Sequence, residues 1–139
     1  MKVKSFEDLQ VWQDARIFVK SIYELTSLEN FKKDFGLKDQ VQRSAVSIMN
    51  NISEGYERDN NKEFRNFLSY AKGSAGEIRS MLYIALDLNY ISKDDFDKNF
   101  NKAVNIITQI SNFKKYLRNY VIKEKIKNVK MFFIQLLNF

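Results

Sequence analysis

The stretch "SIMNNISEGYERDNNKEF", residues 47–64, has the layout of two helices meeting at a turn. Its incoming half is unusual. From Gln40 to Ser53 the only charged residue is Arg43, whereas exposed helix faces are normally rich in Lys and Glu. Val41, Ala45, Ile48 and Ile52 form an apolar stripe, and Arg43, Ser47, Asn51 and Glu54 lie on the opposite side. A helix that is apolar on one side and polar but nearly uncharged on the other is expected to be covered on both sides. Its polar atoms would be held by other protein groups, since buried polar atoms are paired. Gly55 then stands where a left-handed C-terminal cap would fall, which ends the helix near Glu54 and makes "YERDN" the turn.

Working outward, a first helix is expected after Ser5, where "SFED" is close to a capping box. Leu9, Trp12, Val19, Ile22 and Tyr23 supply its apolar face, and "TSLENFKKDFG" reads as a loop before a second helix over about 37–54. Asn60, with Glu63 three residues later, opens a third helix with the stripe Phe64, Phe67, Leu68, Ala71, Ala75, Ile78, Leu82 and Ala85. Ser92, followed by Asp94, Asp95 and Asp97, opens a fourth. In that helix Phe96, Ala103, Ile110 and Leu117 share one heptad position, Phe100, Ile107, Lys114 and Val121 the next, and Ile106, Phe113 and Tyr120 a third. Three apolar positions per heptad fit a well-buried bundle helix, or one whose flank meets a neighbouring subunit. The fold class is therefore all-α: an up-down-up-down antiparallel four-helix bundle over residues 1–120, with a basic and apolar helical extension over 121–139. Pairing outward from a turn at Glu57–Asp59 puts Asn51 opposite Arg65 and Asn66, and Arg43 opposite Gly73.

Composition narrows the function. The chain has 139 residues, no Pro, no Cys and no His. Disulfides, zinc sites and every Cys- or His-dependent mechanism are excluded, and the commonest general acid–base side chain is missing. No catalytic residue, metal ligand or cofactor is expected. Residues 1–20 lack an apolar signal segment, and the longest uncharged run, "AVNIITQISNF", is far short of the roughly 20 residues that span a bilayer. The chain reads as cytoplasmic. Charge is uneven: residues 1–97 are net −2 and residues 98–139 net +8, an asymmetry that points to a polyanionic partner.

Three segments carry a resemblance. "FEDLQVWQDA", "FGLKDQVQRSAVSIMNNISEGYER" and "KEFRNFLSYAKGSAGEI", in this order and spacing over residues 5–120, resemble the four-helix-bundle proteins encoded in intervening sequences of bacterial 23S ribosomal RNA genes. A related branch is the accessory protein of diversity-generating retroelements, which works beside a reverse transcriptase and contacts RNA. The resemblance implies a left-handed bundle assembled as a ring-shaped homopentamer. It implies no activity. Lys38 departs from it, standing where relatives tend to carry a Thr or Ser cap, and the residues beyond about 120 run past the usual family length.

Two candidate sites follow. Arg43, Ser47, Asn51, Glu54 and Arg58 on one helix, with Gly73, Ser74 and Glu77 on the next, read as a polar seam or oligomer interface in preference to a ligand pocket. Gly73 and Gly76 each cost roughly 1 kcal/mol against Ala in a helix interior, a cost that suits close approach of a neighbouring backbone. Glu77 is within reach of Arg43. Around the turn, Glu54, Glu57, Asp59 and Glu63 alternate with Arg58, Lys62 and Arg65 as a solvated salt-linked cluster. The second site is RNA-binding: Lys114, Lys115 and Arg118, then Lys123, Lys125 and Lys127, with Tyr116 and Tyr120 among them. The bland alternative is a solvated charged face. The uncharged end "MFFIQLLNF" is expected to pack on the assembly rather than on a membrane surface. The resulting expectation is a non-enzymatic oligomeric bundle acting as a scaffold or accessory factor for RNA or for a nucleic-acid enzyme such as a reverse transcriptase. The alternative is a protein–protein interaction module with no nucleic-acid binding.

Overall fold

Three side-chain caps divide the chain. Asp34 Oδ1 accepts from the Leu37 N–H at 3.1 Å, Asn60 Oδ1 from the Glu63 N–H at 3.0 Å, and Ser92 Oγ from the Asp95 N–H at 3.1 Å. Each satisfies an amide that a helix start leaves without a partner. The computed structural model describes residues 3–138, apart from the side chain of Val121. Val121 in the heptad stripe and Phe139 in the apolar end therefore lie outside the described residues. The described residues form helices α1 (Gln10–Thr26), α2 (Phe35–Glu57), α3 (Asn61–Asp87) and α4 (Lys93–Leu137), with single 3₁₀ turns at Phe6–Asp8 and Phe31–Lys33. Each helix packs on its neighbour in sequence, and α1 closes onto α4, which is the up-down-up-down bundle expected.

The core runs along the centre. Ile22 and Phe18 of α1, Val41, Ile48 and Ile52 of α2, Leu68, Ile78 and Leu82 of α3, and Ile106 and Ile110 of α4 are buried. Small residues, Ala45, Ala71, Ala75 and Ala103, sit between them and let the helices approach. Polar ties fix α1 against α4: Ser21 donates to the buried Asn99 at 2.7 Å, and Gln109 donates to Asp14 at 2.6 Å.

The structure departs from the sequence reading in several places. A helix does begin after Ser5, with the capping box expected there, but it is the single 3₁₀ turn Phe6–Asp8 and not α1. Asp8 accepts from the Lys4 and Ser5 amides, Leu9 is extended at φ −74° and ψ 124° and drops into the core, and α1 starts one residue later. The buried face of α1 is Val11, Ala15, Phe18, Ile22 and Leu25, rotated from the expected one, and Tyr23 is 46% exposed. An apolar-rich helix offers two candidate stripes, and packing chose the one through the small Ala15. The loop before α2 is anchored: Phe31 is fully buried, and Asp34 caps α2, so Lys38 is already inside the helix.

Gly55 does not end α2. It is buried inside the helix, and the left-handed residue is Asp59 at φ 53° in the turn. A Cβ on Gly55 would lie 2.7 Å from Phe67 Cβ and 2.9 Å from Phe64 Cδ1, so α2 and α3 approach closely here. Gly73 and Gly76, expected at a close approach, have nothing within 4 Å of a Cβ. Because α2 runs on to Glu57, the pairing shifts by more than one turn: Ser47 meets Ser74, and Ser44 meets Glu77. Gly55→Ala is therefore expected to destabilise the chain by about 1–3 kcal/mol, while Gly73→Ala and Gly76→Ala each stabilise it by about 0.5–1 kcal/mol. Urea unfolding of the three variants checks this. A loss at Gly73 would restore the close approach, supplied then by a second copy.

At the other end of the bundle the Tyr90 hydroxyl donates to Asp34 Oδ2 at 3.0 Å, which joins the α3–α4 connection to the cap of α2. The hydrogen bond to Asp34, followed by burial and the negative charge, holds the phenol above its ordinary pKa of about 10. The folded state then keeps this proton more tightly than the unfolded state. The contribution is complete below about pH 10 and is lost as pH rises through the phenol's range. Tyr90→Phe is expected to remove that part of the alkaline loss, as measured by melting temperature from pH 8 to 11. An unchanged alkaline slope would show that Tyr90 is not its source.

Candidate functional site

The uncharged side of α2 is paired largely within the chain. Ser44 Oγ donates to Glu77 Oε2 at 3.1 Å, Ser47 and Ser74 share a hydrogen bond of 2.9 Å, and Asn51 Nδ2 donates to the Ser47 carbonyl and hydroxyl. On the α1 side, Gln42 donates to the buried Thr26. Short hydroxyl and amide groups let α3 and α1 lie against α2 where long charged side chains would hold them apart. Two members of the expected seam fall elsewhere. Arg43 pairs with Asp39 at 2.8 Å on the exposed side, leaving Glu77 to Ser44, and Gly73 is exposed. Arg58 pairs with Glu54 at 2.9 Å and lies over the Phe67 ring at 5.1 Å. The hydrogen bond to Glu54 is the main cause that holds its guanidinium above the ordinary value. Both partners are about half exposed, so the pair adds little to stability.

The strongest concentration of one chemistry lies elsewhere. A groove of about 540 Å³ runs between the N-terminal half of α3 and α4. Lys62, Arg65 and Lys72 line it from α3, and Lys114, Lys115 and Arg118 from α4, with Asn66, Ser69 and Ser111 between them. Six cations line it and no carboxylate does. None of the six forms an ion pair among the described residues. Arg65 is half-buried, and its Nε is buried without an acceptor among those residues. A buried donor without a partner carries a desolvation cost of about 1–3 kcal/mol. Ser69 is turned back on its own helix, donating to the Arg65 carbonyl at 3.0 Å. Beneath the groove, Phe64 packs edge-on against Phe113 with ring centroids 5.1 Å apart, so the two walls are held at a fixed spacing.

Helix periodicity explains the convergence. Lys62, Arg65, Ser69 and Lys72 recur at three- and four-residue steps along one line of α3, and Ser111, Lys114, Lys115 and Arg118 do the same on α4. Of the residues expected to bind RNA, the structure brings Lys114, Lys115 and Arg118 together. Lys123, Lys125 and Lys127 stand apart, exposed on the part of α4 beyond the bundle. Tyr116 and Tyr120 are exposed and do not line the groove; Tyr116 stacks on Phe113. The sequence places Lys62 and Arg65 in a salt-linked turn, whereas among the described residues the pairing there is confined to Arg58 with Glu54. The acid-free line 62–65–69–72 was the available signal. Among the described residues no cluster of three or more carboxylates could hold a metal ion, and no helix is long and apolar enough to cross a membrane.

The described residues thus form a small antiparallel four-helix bundle. The model of the 23S rRNA-intervening sequence protein family matches residues 7–112, and the chain belongs to that family. Among solved structures it is similar to a protein of unknown function from the S23 ribosomal protein family of Bacteroides thetaiotaomicron VPI-5482. The two are 26% identical with a TM-score of 0.71, and the match covers 76% of this chain and 98% of that one. No curated protein matches the chain.

Proposed function

We propose that the chain is a non-enzymatic helical scaffold that holds RNA by its phosphate backbone in the groove between α3 and α4. The observation that carries this reading is the set of six cations lining one groove with no carboxylate among them. Like charges gathered on facing walls repel one another, by about 1 kcal/mol per pair at 4 Å in bulk water and less in salt. A phosphate backbone reverses the sign of that term. Arg guanidinium and Lys ammonium groups on two fixed walls match a polyanion of regular charge spacing. They offer no edge-reading module, so contacts are sequence-independent. The family's description supports an RNA setting, and the retroelement accessory proteins that the chain resembles provide a second, with a reverse transcriptase as partner. Assembly as a homo-oligomer, with five copies as the number implied by the resemblance, would repeat the groove around an axis.

The test is a fluorescence titration of a single-stranded RNA against the intact chain at several salt concentrations, with light scattering to fix the particle size. If all six cations engage phosphates, log K should fall with log salt with a slope of about −4, since each contact on a single strand contributes about −0.7. Charge reversal at Lys114, Lys115 and Arg118 should weaken binding by more than about ten-fold and flatten the slope, with little change in melting temperature. Unchanged affinity and slope, or no binding at low salt, would leave the alternative of a protein-binding bundle with a solvated basic face.

A further inference from the structure

Helix α4 outruns its bundle. Leu117 is its last buried residue, and every described side chain from Arg118 to Asn138 is exposed. About 20 residues project as helix, roughly 30 Å at 1.5 Å per residue. An unsupported helix of this length is marginal in water, and helical stability comes mostly from a packed face. This segment also lies beyond the family match, which ends at residue 112.

Its sequence contains a face built for packing. Ile122, Ile126, Val129, Phe133 and Leu136 follow one another at steps of four, three, four and three, the a/d repeat of a coiled-coil seam. Each is 48–58% exposed, which leaves a continuous apolar strip rather than scattered apolar residues. Lys115 lies one heptad before Ile122, so the strip leaves the bundle on the side of the groove.

The flanks choose the occupant. With Ile126 and Phe133 at a, the e positions are Lys123, Lys130 and Leu137, and Lys125 and Phe132 stand at g. Glu124, the segment's single acid, falls at f, farthest from the seam. Two copies side by side would set Lys125 against Lys130 if parallel, and e lysines against e lysines if antiparallel. Like charges at these positions oppose pairing. A lipid surface fits less well than a helix. Through Val129 the seam is narrow with lysines directly beside it; in the last heptad Phe132 and Leu137 widen it while Met131 and Ile134 lie on the far side, so the apolar residues encircle the helix there and no single plane gathers them.

We propose that the projecting part of α4 is a docking strip for an acidic amphipathic helix of another protein, with apolar residues at its own a and d positions and carboxylates flanking them. The partner helix covers Ile122, Ile126, Val129, Phe133 and Leu136 and sets carboxylates against Lys123, Lys125 and Lys130. This proposal is independent of RNA binding, which uses the groove.

The test titrates the intact chain into fluorescein-labelled synthetic helices of three heptads, with Leu at a and d and either Glu or Lys at e and g. The Glu-flanked helix is expected to bind at least about ten-fold more tightly than the Lys-flanked one, and less tightly as salt rises. Val129→Asp should abolish binding without changing the melting temperature of the bundle. Reversal of Lys123, Lys125 and Lys130 to Glu should invert the preference, while reversal at Lys114 and Lys115 should leave it in place. Three results would overturn the proposal. One is no binding, or no discrimination between the two helices. The second is a particle that becomes smaller in Val129→Asp, which makes the strip a contact between copies. The third is co-sedimentation with phosphatidylserine–phosphatidylcholine vesicles that Val129→Asp removes, which makes it a membrane contact.

Discussion

Gly55 is the point from which the rest of the bundle is registered. With no side chain there, the backbone of α2 rests against Phe64 and Phe67 of α3, at a distance that a methyl group would not fit. The contact fixes how α3 slides along α2. Ser47 then faces Ser74 and Ser44 faces Glu77, so these two hydroxyls of α2 find partners on α3. The same contact sets Phe64, whose ring meets Phe113 of α4. The width of the groove above that ring pair thus depends on a glycine in the neighbouring helix.

Such a groove is a poor choice on grounds of stability alone. Facing rows of Lys and Arg with no carboxylate between them repel, and the unsatisfied Arg65 Nε adds a desolvation cost. Some charges elsewhere do pair: Glu29 with Lys32 and Lys33, Asp39 with Arg43, Glu54 with Arg58 and Asp97 with Lys93, all within a helical turn or the segment leading into one. What sets the groove apart is that six cations face one another across it with no carboxylate among the residues that line it. An arrangement that is unfavourable in the free protein and relieved by an anion fits a binding surface, and violations of local rules concentrate at functional places.

Much of this was legible in the sequence, for physical reasons that differ by element. The starts of α3 and α4 could be read because Asn60 and Ser92 act through local hydrogen bonds, and the α3 stripe because one apolar line has no competitor there. Gly55 misled because glycine serves two purposes, ending helices and admitting a neighbour, and only the neighbour decides between them. Gly73 and Gly76 misled in the opposite sense, since their spacing suggests close packing while no neighbouring helix among the described residues comes within 4 Å of a Cβ at either. The basic groove was half legible. Lys114, Lys115 and Arg118 stand out in a charge count, but Lys62, Arg65 and Lys72 are diluted by the acids of the turn. They join the set only when α3 is laid beside α4. That α4 continues unbroken to Leu137 follows from the absence of Pro and Gly after Gly76, a signal that composition states and that boundaries drawn from a family length obscure.

The central claim is that the groove between α3 and α4 receives phosphate groups, and Arg65 is its most direct reporter. Arg65 and Arg79 both carry a buried Nε without an acceptor among the described residues, but Arg79 lies over the Phe100 ring, away from the groove. The two side-chain Nε–Hε resonances can be followed by ¹H–¹⁵N correlation spectroscopy while a short single-stranded RNA is titrated in. The account predicts that the Arg65 signal moves progressively and saturates with the binding curve while the Arg79 signal stays in place. An Arg65 signal that stays still while RNA binds, or that moves no more than that of Arg79, would contradict it.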